Sequence, residues 1–407
     1  MRVQIKCIFS TEPTRKSCNR LRLDCSHQIV VSSKRLSILF TSGWYPSKAH
    51  NTLGNFVQRH AEAVATRCDV WVLYVASMPQ WQGPPKIEEH SEKNVHTVIV
   101  YCKPGFFAKR KAFMKGVYHL IRSKKIQFDI VHHNVLWPHG WQPRWLHSKF
   151  NLPYIVTEHW TGYDPINANK RNPLLLWMSK FGARKASFLC PVTHDLQQKM
   201  IDFGIHGRYQ VVPNVVDTRL FALAKPDNKL VRFLHVSSLV DAHKNISGIL
   251  RVWKTVSDRL PNIHLTLGGD GPVEYWKNQA QRLGIRPESI DFFGETTWEG
   301  VAQKMESSHA LLLFSNYENL PCVIVEALTC GLPVISTRVG GISEHISSER
   351  GILVERGDED ALQHAIETLA GDIHSYNQTA LRTYALERFS NEAVAEAFEK
   401  VYRVVVK

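Results

Sequence analysis

Short runs of β-branched and other apolar residues recur along the chain, and stretches with helical spacing of apolar positions lie between them. Eight such runs predict buried strands of parallel sheets, because their apolar residues follow one another without strict alternation. They are Ser37–Phe40, Val70–Val75, Val95–Val100, Tyr154–Thr157, Phe233–Val236, His264–Leu267, Ala310–Phe314 and Pro333–Ser336. Strands that alternate with helices build open α/β sheets, whose ligands collect at the carboxyl edges of the strands.

The spacing of these runs predicts two doubly wound, Rossmann-like halves with a cleft between them. A chain of 407 residues with 44% hydrophobic content is long and apolar enough for two or three buried cores. Glycine and proline punctuate residues 205–214, which makes this segment the predicted hinge. The expected domains are therefore residues 36–210 and 211–390, followed by a last helix within residues 391–407.

Residues 1–35 stand apart from this pattern. They contain eight Lys or Arg against two acidic residues and have no clear strand or helix period. Either they form a poorly ordered upstream extension, or they are a basic arm that contacts a membrane.

Charge is distributed unevenly over the rest of the chain as well. Residues 1–205 hold 29 Lys and Arg against 12 Asp and Glu, whereas residues 206–407 hold 21 against 25. Within the basic half, the segment 103–115 interleaves five bases with aromatic residues, a pattern typical of peripheral contact with an anionic membrane. The alternative is a solvated helix with Phe106 and Phe113 in the core. Nucleic-acid binding is not favoured, because no recognition motif accompanies the charge.

Neither a metal centre nor a disulfide framework is indicated. The eight cysteines are scattered without a C-x-x-C pair. No run of eighteen apolar residues occurs, and the N-terminus lacks the apolar stretch of a secretory signal. We expect a cytoplasmic protein, with peripheral contact to the inner face of the cytoplasmic membrane as an option.

The segment around Glu318 and Glu326 carries the strongest chemical signal. Asn319 is a suitable N-cap, Pro321 suits a first helical turn, and Gly331 is a suitable stop, so the pattern predicts a helix from about Cys322 to Cys330. The amides near Leu320 and the helix dipole favour phosphate at this end. Two carboxylates beside a phosphate site suit a nucleotide sugar. An ordinary surface helix with two solvated glutamates is the alternative.

Several segments together give this chain a resemblance to glycosyltransferase family 4, the retaining group 1 enzymes of GT-B fold. The resemblance covers roughly residues 36–405. It rests on the segment 318–334 with 339–341, and on further segments in family order: 40–46 with 54–57, 129–133, 153–159, 213–217, 268–272 and 292–294. Val215 stands where the family usually has glycine. The resemblance implies a GT-B architecture in which the last helix crosses back to the N-terminal half.

The resemblance also implies roles for individual residues. In such enzymes the first glutamate, here Glu318, contacts the transferred sugar, and the second, here Glu326, holds the ribose. His159 would contact the transferred sugar near the reacting carbon. Lys244 would bind the diphosphate and stabilise it as it departs. The implied catalytic residues are His159, Lys244 and Glu318, and the implied donor-binding residues are Gly54, Ser238, Lys244, Gly271, Asn319, Leu320, Pro321 and Glu326.

The chain departs from the family pattern at one position of the phosphate site. The family carries Arg and Lys six positions apart after a strand, and here the Arg position is Ser238 while Lys244 matches. One charge-assisted contact, typically ~1.5–3 kcal/mol, is absent unless His243 or Arg338 replaces it. Without this contact we expect either weaker donor binding or a degenerate donor site.

The acceptor side is expected among aromatic residues that follow strands of the N-terminal half. Flat rings there can stack on a sugar, or they can belong to the core. The candidates are Trp44, Tyr45, Trp137 and His139, with Trp141 and Trp160 nearby.

The predicted reaction is transfer of a glycosyl group from a UDP- or GDP-sugar to an acceptor hydroxyl, with retention, without a metal and without a cofactor. A saccharide or lipid-linked acceptor from cell-envelope polysaccharide or glycolipid synthesis is expected. A sugar-nucleotide epimerase of the same architecture and a non-catalytic protein that binds a nucleotide sugar remain alternatives. An NAD-dependent oxidoreductase is disfavoured, because no G-x-G-x-x-G follows a strand.

Overall fold

The computed structural model describes residues 35–165, 173–227 and 229–407 of the chain. The predicted basic extension, residues 1–35, lies outside the described residues apart from Arg35. We refer to the described residues up to 210 as the N-terminal half and to residues 211–390 as the C-terminal half. Each half contains one mainly parallel sheet with helices on its faces. The predicted α/β class is confirmed. Within the described ranges, no helix combines the length and apolar character needed to cross a membrane.

The described sheet of the N-terminal half has seven strands in the order β3-β4-β2-β1-β5-β6-β7. Their neighbours pair in parallel except at the edge, where β3 runs antiparallel to β4. The strands are β1 (Ser37–Ser42), β2 (Asp69–Ser77), β3 (Lys86–Glu92), β4 (Val95–Cys102), β5 (Ile130–Asn134), β6 (Tyr154–Glu158) and β7 (Phe188–Pro191).

The described sheet of the C-terminal half has six parallel strands in the order β10-β9-β8-β11-β12-β13. The first strand in sequence, β8, thus lies in the middle, with β9 on one side and β11 on the other. The strands are β8 (Val231–Ser237), β9 (Ile263–Gly269), β10 (Ile290–Phe293), β11 (Ala310–Leu312), β12 (Val334–Thr337) and β13 (Gly351–Val354).

Helices connect the strands and cover both sheets. In chain order they are α1 (Asn55–Ala65), α2 (Phe106–Tyr118), α3 (Leu136–His139), α4 (Trp141–Phe150), α5 (Pro173–Ala183), α6 (His194–Asp202), α7 (Asp241–Lys244), α8 (Ile246–Arg259), α9 (Val273–Arg282), α10 (Trp298–Glu306), α11 (Cys322–Thr329), α12 (Glu359–Gly371), α13 (Gln378–Phe389) and α14 (Asn391–Val406).

All eight apolar runs singled out in the sequence form strands. Most of their residues are buried, as in β1, where Ile38, Leu39 and Phe40 have no exposed surface. Strands β5 and β10 coincide with two of the family-like segments. The remaining strands, β3, β7 and β13, were not predicted from the apolar runs. Strand β3 is mostly exposed and rich in charge, so apolar periodicity gives no signal for it.

The last helix, α14, packs against the N-terminal half although it follows the C-terminal half in sequence. Phe398 and Tyr402 are completely buried in a core that also contains Ile38, Phe40 and Val57. The Tyr402 hydroxyl lies 2.6 Å from Nδ1 of His132 on β5. Burial of two such aromatic side chains contributes about 2–3 kcal/mol each, which ties the chain end to the first sheet.

The two halves are also joined by specific polar contacts. The chain passes from one half to the other near Val216 and again near Ser390, and these two residues form a β-bridge. Glu344 of the C-terminal half accepts hydrogen bonds from the amides of His194 and Asp195, at 2.9 and 2.8 Å, at the start of α6. A carboxylate at a helix N-terminus is favoured by the helix dipole. The facing carboxyl edges of the two sheets are thereby held together.

Candidate active site

Lys244 and Glu318 meet where the strand order of the C-terminal sheet reverses. Lys244 follows β8 at the end of α7, and Glu318 follows the neighbouring strand β11. The two side chains form a partly buried ion pair, and the Ser315 hydroxyl donates to Oε1 of Glu318 at 2.8 Å. Ligands of doubly wound sheets bind at such reversal points. The fold thus brings together two residues that are 74 positions apart in sequence.

The loop after β8 has no cationic side chain at Ser238, which is partly buried. The backbone carbonyl of Ser238 lies so close to Gly271 that a Cβ added at Gly271 would come within 2.5 Å of the carbonyl oxygen. Gly271 also has a φ of +155°. Glycine is therefore required at 271 by this close approach. Arg338, one proposed substitute for the missing arginine, is half-exposed and forms an ion pair with Glu355 at 3.1 Å. His243 packs against the Tyr317 ring.

Helix α11 begins at Cys322, as predicted, but Asn319 is not its N-cap. Pro321 occupies that position, and the Asn319 side chain instead donates to the backbone carbonyl of His159 at 2.6 Å. The Leu320 carbonyl accepts a hydrogen bond of 2.7 Å from Asn214. The segment before α11 thus serves as a contact between the halves, which the local sequence pattern does not reveal.

Glu326 does not point into open solvent but pairs with Arg59 of α1, on the N-terminal half. Both side chains are buried, with exposed fractions of 6% and 7%. The Arg59 guanidinium also lies 4.2 Å from the centre of the Trp298 ring, at the start of α10. Sequence reasoning missed Arg59. It lies just beyond the family-like segment 54–57, and an arginine on a surface-type helix gives no local sign of a buried partner 267 residues away.

Gly54 precedes α1 with φ of +74°. A Cβ at this position would come within 2.4 Å of the backbone carbon of Trp44, so a side chain is excluded by the protein's own backbone. The family resemblance places Gly54 among the donor-binding residues. The close approach of the Trp44 backbone is a separate and sufficient reason for glycine at this position.

His159, directly after β6, packs against two rings of α1. Its ring centre lies 4.3 Å from that of Phe56 and 5.3 Å from that of His60. Burial, with smaller contributions from His60 and His132, lowers the pKa of His159 well below its usual value, so the imidazole is neutral at pH 7. A neutral imidazole can donate or accept a hydrogen bond at a sugar hydroxyl.

Glu158 is a second residue that the sequence analysis did not single out. It is completely buried, and burial raises its pKa. Its carboxyl oxygens accept hydrogen bonds from the amides of Leu136, His159 and Trp160 at 2.9–3.1 Å. The Tyr163 hydroxyl donates to it at 3.0 Å. Glu158 therefore fixes the loops after β5 and β6 to each other, and so positions His159.

The proposed acceptor residues separate into different environments. Tyr45 is a core residue: it is 3% exposed, packs near Tyr74, and burial raises its pKa beyond the usual range. Its ring is not available to stack on a ligand, which corrects the expectation. Trp44, by contrast, is partly exposed beside Phe56.

Two further acceptor candidates lie after β5, the strand next to β1 at the reversal point of the N-terminal sheet. Trp137 is partly exposed and stacks on Trp160, with ring centres 5.7 Å apart. His139 lies against Gly43 of the loop after β1, where a Cβ would come within 2.4 Å of its ring. Burial lowers the pKa of His139 to about 4. Both residues therefore border the carboxyl edge of this sheet.

A cavity of about 620 Å³ lies beside Arg59, between α1 and the loop that joins β10 to α10. Asn55 and Gln58 line one wall, and Thr296 and Trp298 line the other. Among the described residues, no group of three or more His, Cys, Asp or Glu side chains is arranged to hold a metal ion.

Two family models match the two halves of the chain. The one described as "Glycosyltransferase Family 4" matches residues 53–220, and the one described as "Glycosyl transferases group 1" matches residues 231–372. The chain belongs to the family 4, group 1 glycosyltransferases. The family membership predicted from the sequence is thereby confirmed. Lys244, Glu318 and Glu326 lie within the range matched by the group 1 model.

The relatives of this family 4 member differ in the molecules that their names mention. A phosphatidylinositol N-acetylglucosaminyltransferase protein of Arabidopsis thaliana is 28% identical over 199 residues, 48% of this chain and 44% of that protein. The N-acetyl-alpha-D-glucosaminyl L-malate synthase of Bacillus anthracis is 24% identical over 63% of this chain and 69% of its own length. The chain thus spans less than half of the plant relative.

Solved structures show that this glycosyltransferase family member has the GT-B fold. Sucrose-phosphate synthase from Thermosynechococcus elongatus superposes with a TM-score of 0.73 at 20% identity, over 91% of this chain and 99% of that chain. Anabaena HepE in complex with UDP-glucose gives a TM-score of 0.69 at 18% identity, over 91% and 100% of the two chains. At this identity the likeness establishes the fold alone.

Proposed function

We propose that this chain is a retaining, metal-independent glycosyltransferase that moves a sugar from a UDP- or GDP-sugar to an acceptor hydroxyl. The observation that carries the proposal is the Lys244–Glu318 pair at the reversal point of the C-terminal sheet, with His159 linked to the same loop through Asn319. The acceptor we propose is a saccharide or a lipid-linked molecule of glycolipid or polysaccharide synthesis. Anabaena HepE bound to UDP-glucose and the plant phosphatidylinositol relative support these donor and acceptor classes.

In the proposed reaction the acceptor oxygen forms a bond to the anomeric carbon as the bond from that carbon to the phosphate oxygen breaks. The electron pair goes to the departing diphosphate, and the acceptor proton passes to a phosphate oxygen. Lys244 and the N-terminus of α11 stabilise the charge that develops there more than they stabilise bound substrate. Glu318, released from Lys244 by the incoming diphosphate, accepts hydrogen bonds from the transferred sugar.

Arg59 supplies part of the positive charge that Ser238 lacks. It is held at Glu326, the residue proposed to hold the ribose, and therefore lies next to the expected nucleotide. When the ribose hydroxyls engage Glu326, the guanidinium is placed to turn to the adjacent phosphate, where a charge-assisted contact contributes about 1.5–3 kcal/mol. Arg59, on the N-terminal half, thus replaces the arginine that is absent at Ser238 on the C-terminal half.

The decisive experiment is a thermal-shift screen of UDP- and GDP-sugars, followed by product analysis. A cognate donor at one hundred times its Kd stabilises the fold by about 2.7 kcal/mol, which is measurable as a rise in Tm. Lys244→Gln should abolish that rise, whereas Lys277→Gln, on helix α9, should retain it. Nuclear magnetic resonance of the product gives the anomeric configuration. Affinity without product from any acceptor would favour a non-catalytic binding protein, and an isomerised donor would favour an epimerase.

A further inference from the structure

An apolar groove of about 730 Å³ opens on the surface of the N-terminal half, and none of the implied donor-binding residues lines it. It lies between the start of α2, the turn that joins α3 to α4, and helix α5. Its apolar lining includes Phe106, Pro138, Trp141, Trp177, Met178 and Phe181. Phe106, Leu174 and Trp177 keep 53%, 62% and 56% of their surfaces exposed. Large exposed apolar residues that share one concave surface are typical of a binding site.

The walls of this groove are held in place by close backbone packing. A Cβ on Gly182 of α5 would lie 2.7 Å from the Cα of Gly140, and one on Gly140 would lie 2.9 Å from the Met178 carbonyl oxygen. Trp177 stacks on Phe181 with ring centres 5.2 Å apart. Gly140 and Gly182 thus let the backbone of α5 pack directly on the α3–α4 turn. The aromatic side chains of both elements then line the groove.

One end of the groove reaches the proposed acceptor side of the cleft. His139 lines the groove and also contacts Gly43, in the loop that follows β1. The opposite rim is the basic start of α2. Lys109 lines the groove, and Lys103, Arg110 and Lys111 are exposed nearby. Among the described residues, none of these four forms an ion pair with an acidic side chain.

We propose that this groove binds the hydrocarbon chain of an anionic, phosphate-bearing lipid acceptor and presents its head group to the cleft. The inference rests on the proposed glycosyl transfer and names the acceptor class. Lys109 and the basic start of α2 attract the phosphate, while the Trp141, Trp177 and Phe181 rings bury the chain. His139 marks the end of the groove at which the acceptor hydroxyl enters the cleft.

The lining favours a hydrocarbon chain over an extended peptide. A bound peptide carries an amide and a carbonyl on nearly every residue, and each needs a polar partner when buried. Besides the indole N–H groups of Trp141 and Trp177, the polar side chains of the lining are Lys109 and His139. A chain of methylenes needs no such partners, and each one removed from water contributes about a fourfold gain in affinity.

The test is calorimetric titration of the full-length protein with hexyl, octyl and decyl phosphate below their micelle concentrations. Affinity should rise about fourfold per methylene in the native protein. Trp177→Glu, which places a charge in the groove, should abolish the dependence on chain length. Tyr275→Glu is the matched control, because Tyr275 is 53% exposed on α9 of the other half. Lys109→Gln should weaken all three phosphates by a similar factor.

Equal affinities for the three chain lengths, or equal losses in Trp177→Glu and Tyr275→Glu, would overturn the proposal. So would sedimentation of the protein with phosphatidylglycerol–phosphatidylcholine vesicles when decyl phosphate does not bind, since the surface would then contact a bilayer without taking up a chain. Nucleotide binding is measured separately by thermal shift. Failure of the lipid site is therefore distinguishable from failure of the donor site.

Discussion

At the scale of single residues, each of the two glutamates of the proposed donor site pairs with a cationic side chain. Lys244 pairs with Glu318 within the C-terminal half, and Arg59 reaches Glu326 from the N-terminal half. A buried charge that loses its partner costs about 3–5 kcal/mol, so in the proposed function the ligand must replace each contact that it breaks. A diphosphate with a ribose diol does this, because it offers anionic oxygens to the cations and hydroxyl donors to the carboxylates.

Replacement of Glu326 should abolish sugar transfer and also destabilise the fold. In Glu326→Gln the Arg59 guanidinium stays buried without its counterion, so we expect a loss of about 3–5 kcal/mol in the free energy of unfolding. The double variant Arg59→Met with Glu326→Gln removes the buried charge and should recover most of that stability while it remains inactive. Urea unfolding and nucleotide release from the cognate donor measure the two effects. Native turnover in the double variant would exclude Glu326 as a ribose ligand.

Ser238 should accept the arginine that the family carries at this position. Ser238→Arg adds a charge-assisted contact to the diphosphate, so the Kd for the cognate nucleotide should fall by about tenfold to a hundredfold. Isothermal titration calorimetry measures the change, with Ser238→Gln as the uncharged control of similar length. An unchanged Kd in Ser238→Arg would indicate that Arg59 already provides the full contact.

At the scale of elements, each α/β half places its candidate residues in the segments that directly follow central strands. Lys244 and Glu318 lie in the segments that follow β8 and β11, and Trp44 and His139 lie in the segments that follow β1 and β5. These strands are the innermost neighbours of their sheets, where helices diverge to opposite faces and leave a crevice. The same chain geometry thus builds the proposed donor side and the proposed acceptor side.

The turn between β1 and α1 is sensitive to a single methyl group. In Gly54→Ala the Cβ overlaps the Trp44 backbone, in addition to the cost of a positive φ. Gly357→Ala is the matched control, because Gly357 has φ of +78° but no atom within 4 Å of the added Cβ. We expect Gly357→Ala to cost about 1 kcal/mol and Gly54→Ala to cost at least about 2 kcal/mol more. Chemical unfolding compares them, and equal losses would contradict the overlap.

At the scale of the whole molecule, buried histidines link stability to pH. Burial lowers the pKa of His60, His139, His235 and His345 to about 4 and that of His133 to about 3. In the unfolded chain these imidazoles titrate near pH ~6.5. Between these values the unfolded state binds protons that the folded state does not bind. Their contribution to stability is therefore complete above pH ~6.5 and is lost as the pH falls toward 4.

We expect the free energy of unfolding to fall by about 1.4 kcal/mol per pH unit for each such histidine between pH ~6 and ~4.5. His235 is completely buried and bonded to the Leu312 carbonyl and the Ser237 hydroxyl, both at 2.8 Å. His235→Gln should reduce the slope of unfolding free energy against pH by about 1.4 kcal/mol per pH unit. His364→Gln, at an exposed position, should leave the slope unchanged. Urea unfolding at several pH values gives the slope. An identical slope in His235→Gln would contradict the assignment.

The sequence by itself determined the local elements and much of the family pattern. The apolar runs gave eight buried strands, because a strand covered on both faces needs continuous apolar residues. The end of α11 was also predictable, since Gly331 has φ of +76° and suits a helix stop. The order and spacing of Gly54, Lys244, Glu318 and the other motif residues indicated the glycosyltransferase family.

Only the tertiary structure decided which residues touch. The Arg59–Glu326 pair, the Asn319 contact with His159 and the buried place of Tyr45 depend on how the two sheets face each other. The exposed edge strand β3 and the apolar groove beside α5 depend on packing in the same way. Local patterns record the burial and backbone preference of a residue, whereas its partner across a cleft is set by chain segments hundreds of positions away.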